Sequence, residues 1–222
     1  MISTSCHNNH RRSRSARLTF HGGSWFALLI GICFLALLPY PVLASDTVNQ
    51  PSFSIWRKGK QIGTAVGERG IQGNGTTLLF TVSMEARILL SIKVQAVTEN
   101  LFLGNCLATA RYQKMVNGAR LNTLSLKQAG NRYVVIDDDA TSIIEKHPIS
   151  FTAISMYFSE PVSVYTLYSE SNNCFVSIEH LGNGRYRIRQ PNGNTTTYFY
   201  QQGQLVRMEA ESSYGLIIFK RN

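Results

Sequence analysis

Apolar and polar residues alternate along much of the chain beyond residue 50, which is the pattern of strands with one buried face. Every second residue is apolar from Leu78 to Met84, and the same holds from Ile88 to Ala96. The run Arg185–Arg189 reads Arg-Tyr-Arg-Ile-Arg, which predicts that its three arginines face away from its two apolar residues. Such alternation is typical of antiparallel sheets that expose one face to water.

Tight-turn sequences separate these runs. Asn-Gly pairs favour two-residue hairpins, because both positions adopt positive φ. Such pairs occur at residues 74–75, 117–118, 183–184 and 192–193. Runs rich in β-branched and aromatic residues lie between the turns. The predicted strands lie near 52–57, 61–70, 76–85, 87–98, 107–116, 120–128, 132–137, 141–145, 162–169, 174–180, 185–190, 195–201, 204–211 and 215–220.

One segment has helical periodicity instead. Ile149–Phe158 lies between Pro148 and Pro161, and its apolar residues recur at helical intervals. A proline at the start of a helix is well tolerated, because its missing N–H would be unpaired there. The sequence therefore predicts a mainly β fold, a curved antiparallel sheet or incomplete β-barrel with one short helix.

Residues 1–44 differ in character from the rest. They contain no acidic residue, and the uncharged apolar run Trp25–Leu38 follows their arginines. Val42 and Ala44 fit the small-residue positions before a cleavage site, so we predict a signal peptide cut after Ala44. An uncleaved N-terminal anchor is the alternative, because Trp25–Ala44 is long enough to span a bilayer. We expect an exported protein, periplasmic or extracellular or anchored in the membrane, with one β-rich domain over 45–222. The arginines of the leader are Arg11, Arg12, Arg14 and Arg17.

Charge and composition narrow the class of protein. The chain has 222 residues, 44% hydrophobic and 16% charged, with a net charge of +9. These values exclude a disordered chain and a membrane protein with many spans. Without the four leader arginines the net charge is +5. An exported domain of such modest charge is a poor candidate for a nucleic-acid partner.

The cysteines divide at the same boundary. Cys6 and Cys33 belong to the leader, whereas Cys106 and Cys174 remain in the domain. An even pair in an exported protein favours a disulfide, with two unpaired structural cysteines as the alternative. No CxxC motif and no histidine at ligand spacing accompanies them, so we predict no metal site and no cofactor.

Motifs of known enzyme classes are absent from the domain. It contains no nucleophile elbow, zinc-protease motif, phosphate-binding loop or dinucleotide fingerprint. His147 and His180 are isolated, and Asp137, Asp138 and Asp139 read as a solvated turn. We expect a protein that is not an enzyme. A site assembled from distant residues is the less favoured alternative, with Glu170, Glu179, His180 and Tyr198 as its candidates.

Two features are candidates for ligand binding. Arg185, Arg187 and Arg189 form a strand face that suits a phosphate or another anionic group. Tyr198 and Tyr200 suit a semi-apolar groove, because a tyrosine ring is apolar with a polar tip. The alternatives are a solvated strand face for the arginines and ordinary cross-strand packing for the tyrosines.

An ordered series of short motifs resembles a known family. It runs from Phe53-x-Ile55 and Ile62-Gly63 to Tyr168-Ser169-Glu170, Arg185-Tyr186-Arg187, Pro191-Asn192-Gly193 and Thr197–Leu205. The series covers most of 52–221 and resembles a family of small, exported, β-rich bacterial proteins defined as a domain of unknown function. More distantly, the pattern is similar to the half barrels of bacterial lipoprotein carriers.

These observations predict a non-enzymatic protein of the bacterial envelope. We expect an apolar or amphipathic ligand, such as a lipid, on the concave face of the sheet. The alternative is a structural or interaction module that contacts an envelope protein partner through a sheet edge or the arginine face.

Overall fold

A computed structural model describes residues 46–47, 50–87, 91–138, 140–145, 148–212 and 215–222. From Asp46 onward these residues form one compact unit. Several features predicted above lie outside the described residues. They are the signal peptide 1–44 with its cleavage site, Cys6, Cys33, Ile88, Leu90, Asp139 and His147.

The described chain is almost entirely β. Its strands are β1 Asp46–Thr47, β2 Ser52–Arg57, β3 Lys60–Gln72, β4 Gly75–Arg87, β5 Ser91–Leu103, β6 Cys106–Val116, β7 Ala119–Ala129, β8 Arg132–Asp137, β9 Ala140–Glu145, β10 Thr166–Ser169, β11 Cys174–Gly182, β12 Arg185–Arg189, β13 Thr195–Gln201, β14 Gln204–Ala210 and β15 Ile217–Arg221. No helix in the described ranges is long and apolar enough to cross a membrane.

Fourteen of these strands follow one another in a single antiparallel sheet. The order is β10-β11-β12-β13-β14-β15-β2-β3-β4-β5-β6-β7-β8-β9, and the short β1 pairs with β3 beside this path. The C-terminal strand β15 pairs with β2, so both ends of the domain lie in the middle of the sheet. The two outermost strands, β9 and β10, do not pair, and the predicted incomplete barrel is thereby confirmed.

Turn chemistry explains this simple topology. Asn117-Gly118 and Asn183-Gly184 have positive φ at both positions, as two-residue hairpins require. At Gly67 the conformation is ordinary, but a Cβ atom would lie 2.8 Å from both the Phe158 ring and the Pro51 ring. Glycine at this position therefore lets the chain around Phe158 pack directly onto β3.

The predicted helix Ile149–Phe158 is wrong in its extent. Only a single 3₁₀ turn forms, Ile154–Tyr157, and residues 148–152 before it are not helical. Thr152 pairs in parallel with Tyr168 of β10, whose N–H donates to the Phe151 carbonyl at 3.1 Å. This pairing takes up backbone groups that an α-helix would have used. The segment 148–158, named here the insert, is thus a non-helical stretch with one β-bridge, followed by one 3₁₀ turn.

The insert packs into the core of the sheet. Ile149, Ile154 and Met156 are fully buried. The Ile149 carbonyl accepts from Leu107 N–H at 2.8 Å, and its N–H donates to the Tyr133 hydroxyl at 3.0 Å. The insert therefore contacts strands β6 and β8 as well as β10, and it closes one part of the sheet's interior.

Candidate functional site

The inner face of the sheet is not completely filled. Inward-facing residues of β4, β5 and β6 are only half-buried, because they line a cavity of about 320 Å³. These residues are Val82, Met84, Ala96, Thr98 and Tyr112. Most of them are apolar, and the predicted alternation of β4 and β5 therefore produces the wall of a cavity rather than a solid core.

The insert and the C-terminal strands complete this cavity. Ala153, Ile154 and Tyr157 contribute from the insert. The opposite wall is formed by residues of β13, β14 and β15, namely Thr196, Tyr198, Met208, Ala210, Ile217 and Phe219. The cavity thus lies between the sheet and the insert.

A second cavity of about 280 Å³ adjoins the first and shares Met84, Ser212 and Ile217 with it. Its walls are Ile62, Ala86, Ile92 and Val94, and its polar rim is Arg57, Lys114, Asn192 and Asn194. The two cavities are named here the inner chamber and the outer chamber. Each lies near the lower end of the size range of ligand pockets, roughly 300–1,000 Å³.

Aromatic rings form one wall of the inner chamber. Tyr157 stacks on Phe80 with ring centroids 3.7 Å apart, and it meets Phe53 and Tyr198 edge-on at 6.1 and 6.4 Å. Its hydroxyl donates to the Met208 sulfur at 3.4 Å. Burial raises the pKa of Tyr157 well above its usual value, so this hydroxyl remains protonated.

A buried carboxylate also reaches the inner chamber. Glu170 is 2% exposed and follows β10 directly. Its oxygens accept from Asn100 Nδ2 at 2.7 Å, from Ala153 N–H at 3.1 Å and from Ile154 N–H at 3.4 Å. Asn100 Nδ2 also donates to Thr152 Oγ1 at 2.8 Å. Glu170 thereby fastens the start of the 3₁₀ turn to β5.

Burial dominates the electrostatics around Glu170. It raises the pKa of the Glu170 carboxyl above its usual value, and the hydrogen bonds from Asn100, Thr152 and Ile154 oppose that shift. Burial, with a smaller contribution from the Glu170 charge, raises the pKa of Tyr112 to about 12. The protein donors already surround Glu170, and its first role is to hold the insert in place.

The candidate enzyme residues are not brought together. Glu170 and Tyr198 both line the inner chamber. Glu179 lies on the exposed face of β11, where its carboxylate is 3.5 Å from the Arg187 guanidinium. The His180 ring stacks on Tyr165 with centroids 4.8 Å apart, and its Nε2 lies 2.8 Å from the Val164 carbonyl oxygen.

The candidate binding residues fall into two separate groups. The side chains of Arg185, Arg187 and Arg189 lie on the outer face of β12, as the alternation predicted. Tyr198 lines the inner chamber, whereas Tyr200 is buried and its hydroxyl donates to the Met156 carbonyl. The arginine face and the tyrosines therefore do not form one site.

The predicted disulfide is wrong for this structure. Cys106 begins β6 and Cys174 begins β11, and neither residue forms a disulfide. Eight strands, β12–β15 and β2–β5, lie between them in the sheet order, so no strand pairing places the two cysteines side by side. The open sheet is held by its hydrogen-bond ladders and its core, without a covalent link between these two strands.

The two described residues of the acidic run, Asp137 at the end of β8 and Asp138 after it, accept hydrogen bonds from other segments of the chain. Asp138 has φ 49° and accepts from Thr123 N–H at 2.7 Å, while Asp137 accepts from Asn173 at 3.4 Å. Among the residues that the structure describes, no three acidic, histidine or cysteine side chains are grouped so as to hold a metal ion.

Sequence reasoning missed the polar residues that face inward. Lys114 and Asn100 occupy positions in the alternation where the neighbouring inward residues are mostly apolar or aromatic. Those two interruptions of the apolar phase were detectable in the sequence. The contribution of Arg57 to the rim of the outer chamber was not, because a register shift between Ile55 and Trp56 precedes it.

Comparison with known proteins gives a family and a fold. Residues 53–222 match the family described as Domain of unknown function (DUF6134). The chain belongs to this family, and the resemblance seen in its sequence is confirmed. A search of curated proteins found no match.

The fold is similar to that of a solved β-barrel-like protein from Brucella abortus, assigned to the domain of unknown function DUF1849. The TM-score is 0.52 at 12% sequence identity, and the similarity covers 78% of this chain and 95% of the other. At this identity the similarity shows the fold alone.

Proposed function

We propose that this member of the DUF6134 family is an exported, non-enzymatic protein that binds the apolar chain of an amphipathic ligand in its two chambers. The observation that carries the proposal is the half-buried apolar lining of the concave face, at Val82, Met84, Ile92, Val94 and Ala96. A ligand that covers these inward-facing apolar side chains would be stabilised by the hydrophobic effect. The gain is about 25 cal/mol for each Å² of apolar surface removed from water.

The arrangement of the chambers suits a chain better than a compact ligand. They adjoin one another along β4 and β5, and two of their three shared residues, Met84 and Ile217, are apolar. The lining row runs from Ile92 to Thr98 at alternate positions of one strand. At about 3.3 Å per residue these six residue steps extend for about 20 Å. An elongated apolar ligand would contact the whole row.

The proposal is tested by native mass spectrometry of the protein recovered from the cells that make it. We expect a bound species of lipid mass, which organic extraction releases, and rebinding from a panel of fatty acids and phospholipids. Ala96→Phe places a ring in the inner chamber and is expected to abolish rebinding. Val97→Phe is the matched control, because Val97 is the next residue and 41% exposed on the opposite face.

A protein isolated without ligand that also binds nothing in the panel would overturn the proposal. Equal rebinding by the Ala96→Phe and Val97→Phe variants would also overturn it, because the ligand would then lie elsewhere. Thermal unfolding of both variants, followed by circular dichroism, establishes that they are folded before binding is compared.

A further inference from the structure

We infer that the ligand carries an anionic head group, a carboxylate or a phosphate, and that Lys114 binds it at the rim of the outer chamber. This inference rests on the proposed function, which supplies the apolar chain, and adds the chemistry and the orientation of the ligand. It depends on the position of one lysine in the sheet and on the residues around that lysine.

Lys114 lies on the concave face of β6. Along this strand Ala110, Tyr112 and Lys114 share the inward phase, whereas Arg111 and Gln113 are exposed on the other side. Its cross-strand neighbours are Ala96 on β5 and Asn122 on β7. The side chain is half-buried and lines the outer chamber beside Ile92 and Val94. A lysine in this position places its ammonium group in the lining of the outer chamber, where the head group of the ligand would lie.

No anion compensates this charge within the described part of the chain. The Lys114 side chain has neither an ion pair nor a hydrogen bond there, and the ion pairs Arg187–Glu179 and Arg207–Glu209 lie on the outer surface. The lining of the outer chamber includes Arg57 as a second cation and no acidic residue. Partly desolvated charges are ordinarily paired, so the Lys114 ammonium group in a lining without a carboxylate is complementary to an anionic group from outside.

Polarity along the two chambers orients the ligand. The single acidic residue in their lining is Glu170, at the far end of the inner chamber, where protein donors already occupy it. Asn100, which holds Glu170, is four residues along β5 from Ala96, the partner of Lys114. This spacing corresponds to about 13 Å along the strand. The chain would run from the outer chamber past Ala96 and Thr98, with the anionic head at Lys114 and the tail towards Tyr157.

Three ligands that share one alkyl chain test the inference by isothermal titration calorimetry. They are laurate, dodecyl phosphate and dodecanol, with acetate and inorganic phosphate as head groups that lack a chain. The wild-type protein is expected to bind laurate and dodecyl phosphate at least about tenfold more tightly than dodecanol, the effect of one charge-assisted contact. Acetate and inorganic phosphate are expected not to bind measurably.

Substitutions of Lys114 separate charge from folding. Lys114→Met is expected to remove the preference for the anionic ligands while dodecanol affinity stays the same, and Lys114→Arg is expected to retain it. Lys93→Met is the matched control, because Lys93 is exposed on the outer face of the adjacent strand β5. Its preference is expected to equal that of the wild-type protein.

The outcomes distinguish this inference from the proposed function. Equal affinity for laurate and dodecanol, or a preference that persists in Lys114→Met, would overturn the anionic head group and leave chain binding intact. Failure of all three alkyl ligands to bind would overturn both. Measurable binding of inorganic phosphate alone would show a free-anion site and overturn the assignment to an amphiphile.

Discussion

Removal of the Glu170 side chain is expected to destabilise the fold by weakening the attachment of the insert to β5. In Glu170→Ala, Ile154 N–H loses its acceptor, while Ala153 N–H keeps the Tyr168 carbonyl at 2.9 Å and Asn100 Nδ2 keeps Thr152 Oγ1 at 2.8 Å. The buried Ile154 N–H, left without an acceptor, costs about 1–3 kcal/mol. Ala153 N–H and Asn100 Nδ2 each lose one of two acceptors, which adds a fraction of that cost. Loss of the desolvated carboxyl offsets part of this cost, which leaves a destabilisation of about 2–4 kcal/mol.

Urea unfolding followed by the fluorescence of Trp56 measures this difference. Glu179→Ala is the matched control, because Glu179 forms an exposed ion pair with Arg187 and such pairs contribute about 0–1 kcal/mol. If the two variants were equally stable, the hydrogen bonds to Glu170 would not hold the insert, and the reasoning would be refuted.

The pH dependence of the same difference has a definite sign. Burial raises the pKa of Glu170 in the folded protein above its ordinary value of 4.5. The folded state therefore binds the carboxyl proton of Glu170 more tightly than the unfolded state does. The stabilisation that results is fully present below pH 4.5. It declines as the pH rises above that value towards the folded-state pKa. The stability advantage of wild type over Glu170→Ala is expected to shrink as the pH rises above 4.5, and an advantage that grows would contradict the assignment.

Two further perturbations address the tyrosines and the cysteines. Tyr200→Phe removes the buried hydroxyl bonded to the Met156 carbonyl and is expected to cost about 1–2 kcal/mol in urea unfolding. Tyr198→Phe, which breaks no described hydrogen bond, is expected to change stability much less, and the reverse order would contradict this account. Because Cys106 and Cys174 form no disulfide, alkylation of the unfolded, unreduced protein is expected to modify both residues. Recovery of a disulfide-linked peptide pair would show the structure wrong on this point.

Local alternation predicted the strands well. A strand with one buried and one solvent-exposed face alternates between apolar and polar residues, and this pattern is visible in consecutive residues. The bounds predicted for β8 and β13 agree with those observed, Arg132–Asp137 and Thr195–Gln201. The end of β5 was predicted at residue 98, five residues before its observed end at Leu103. Asn100 is fully buried, and its partner Glu170 lies 70 residues away in the sequence. Contacts over such separations leave no local pattern.

The same limit explains the insert and the chambers. Apolar periodicity in Ile149–Phe158 suited a helix, but pairing of Thr152 with Tyr168 depends on where the chain returns to the sheet. The alternation of β4 and β5 indicated which residues face inward. It could not indicate that Ala96 and Thr98 face a cavity, because that depends on how far the opposite wall, with Tyr198, lies from them.

Photo-cross-linking with a fatty acid that carries a diazirine on its chain tests the central claim most directly, because it locates the bound chain. The account predicts labelled residues on the inner face of β4–β6 and on the insert, with Val82, Ala96, Thr98 and Tyr157 foremost. Excess unlabelled laurate is expected to suppress this labelling. Labelling confined to outward residues such as Val97, or labelling that laurate does not suppress, would contradict a ligand-binding concave face.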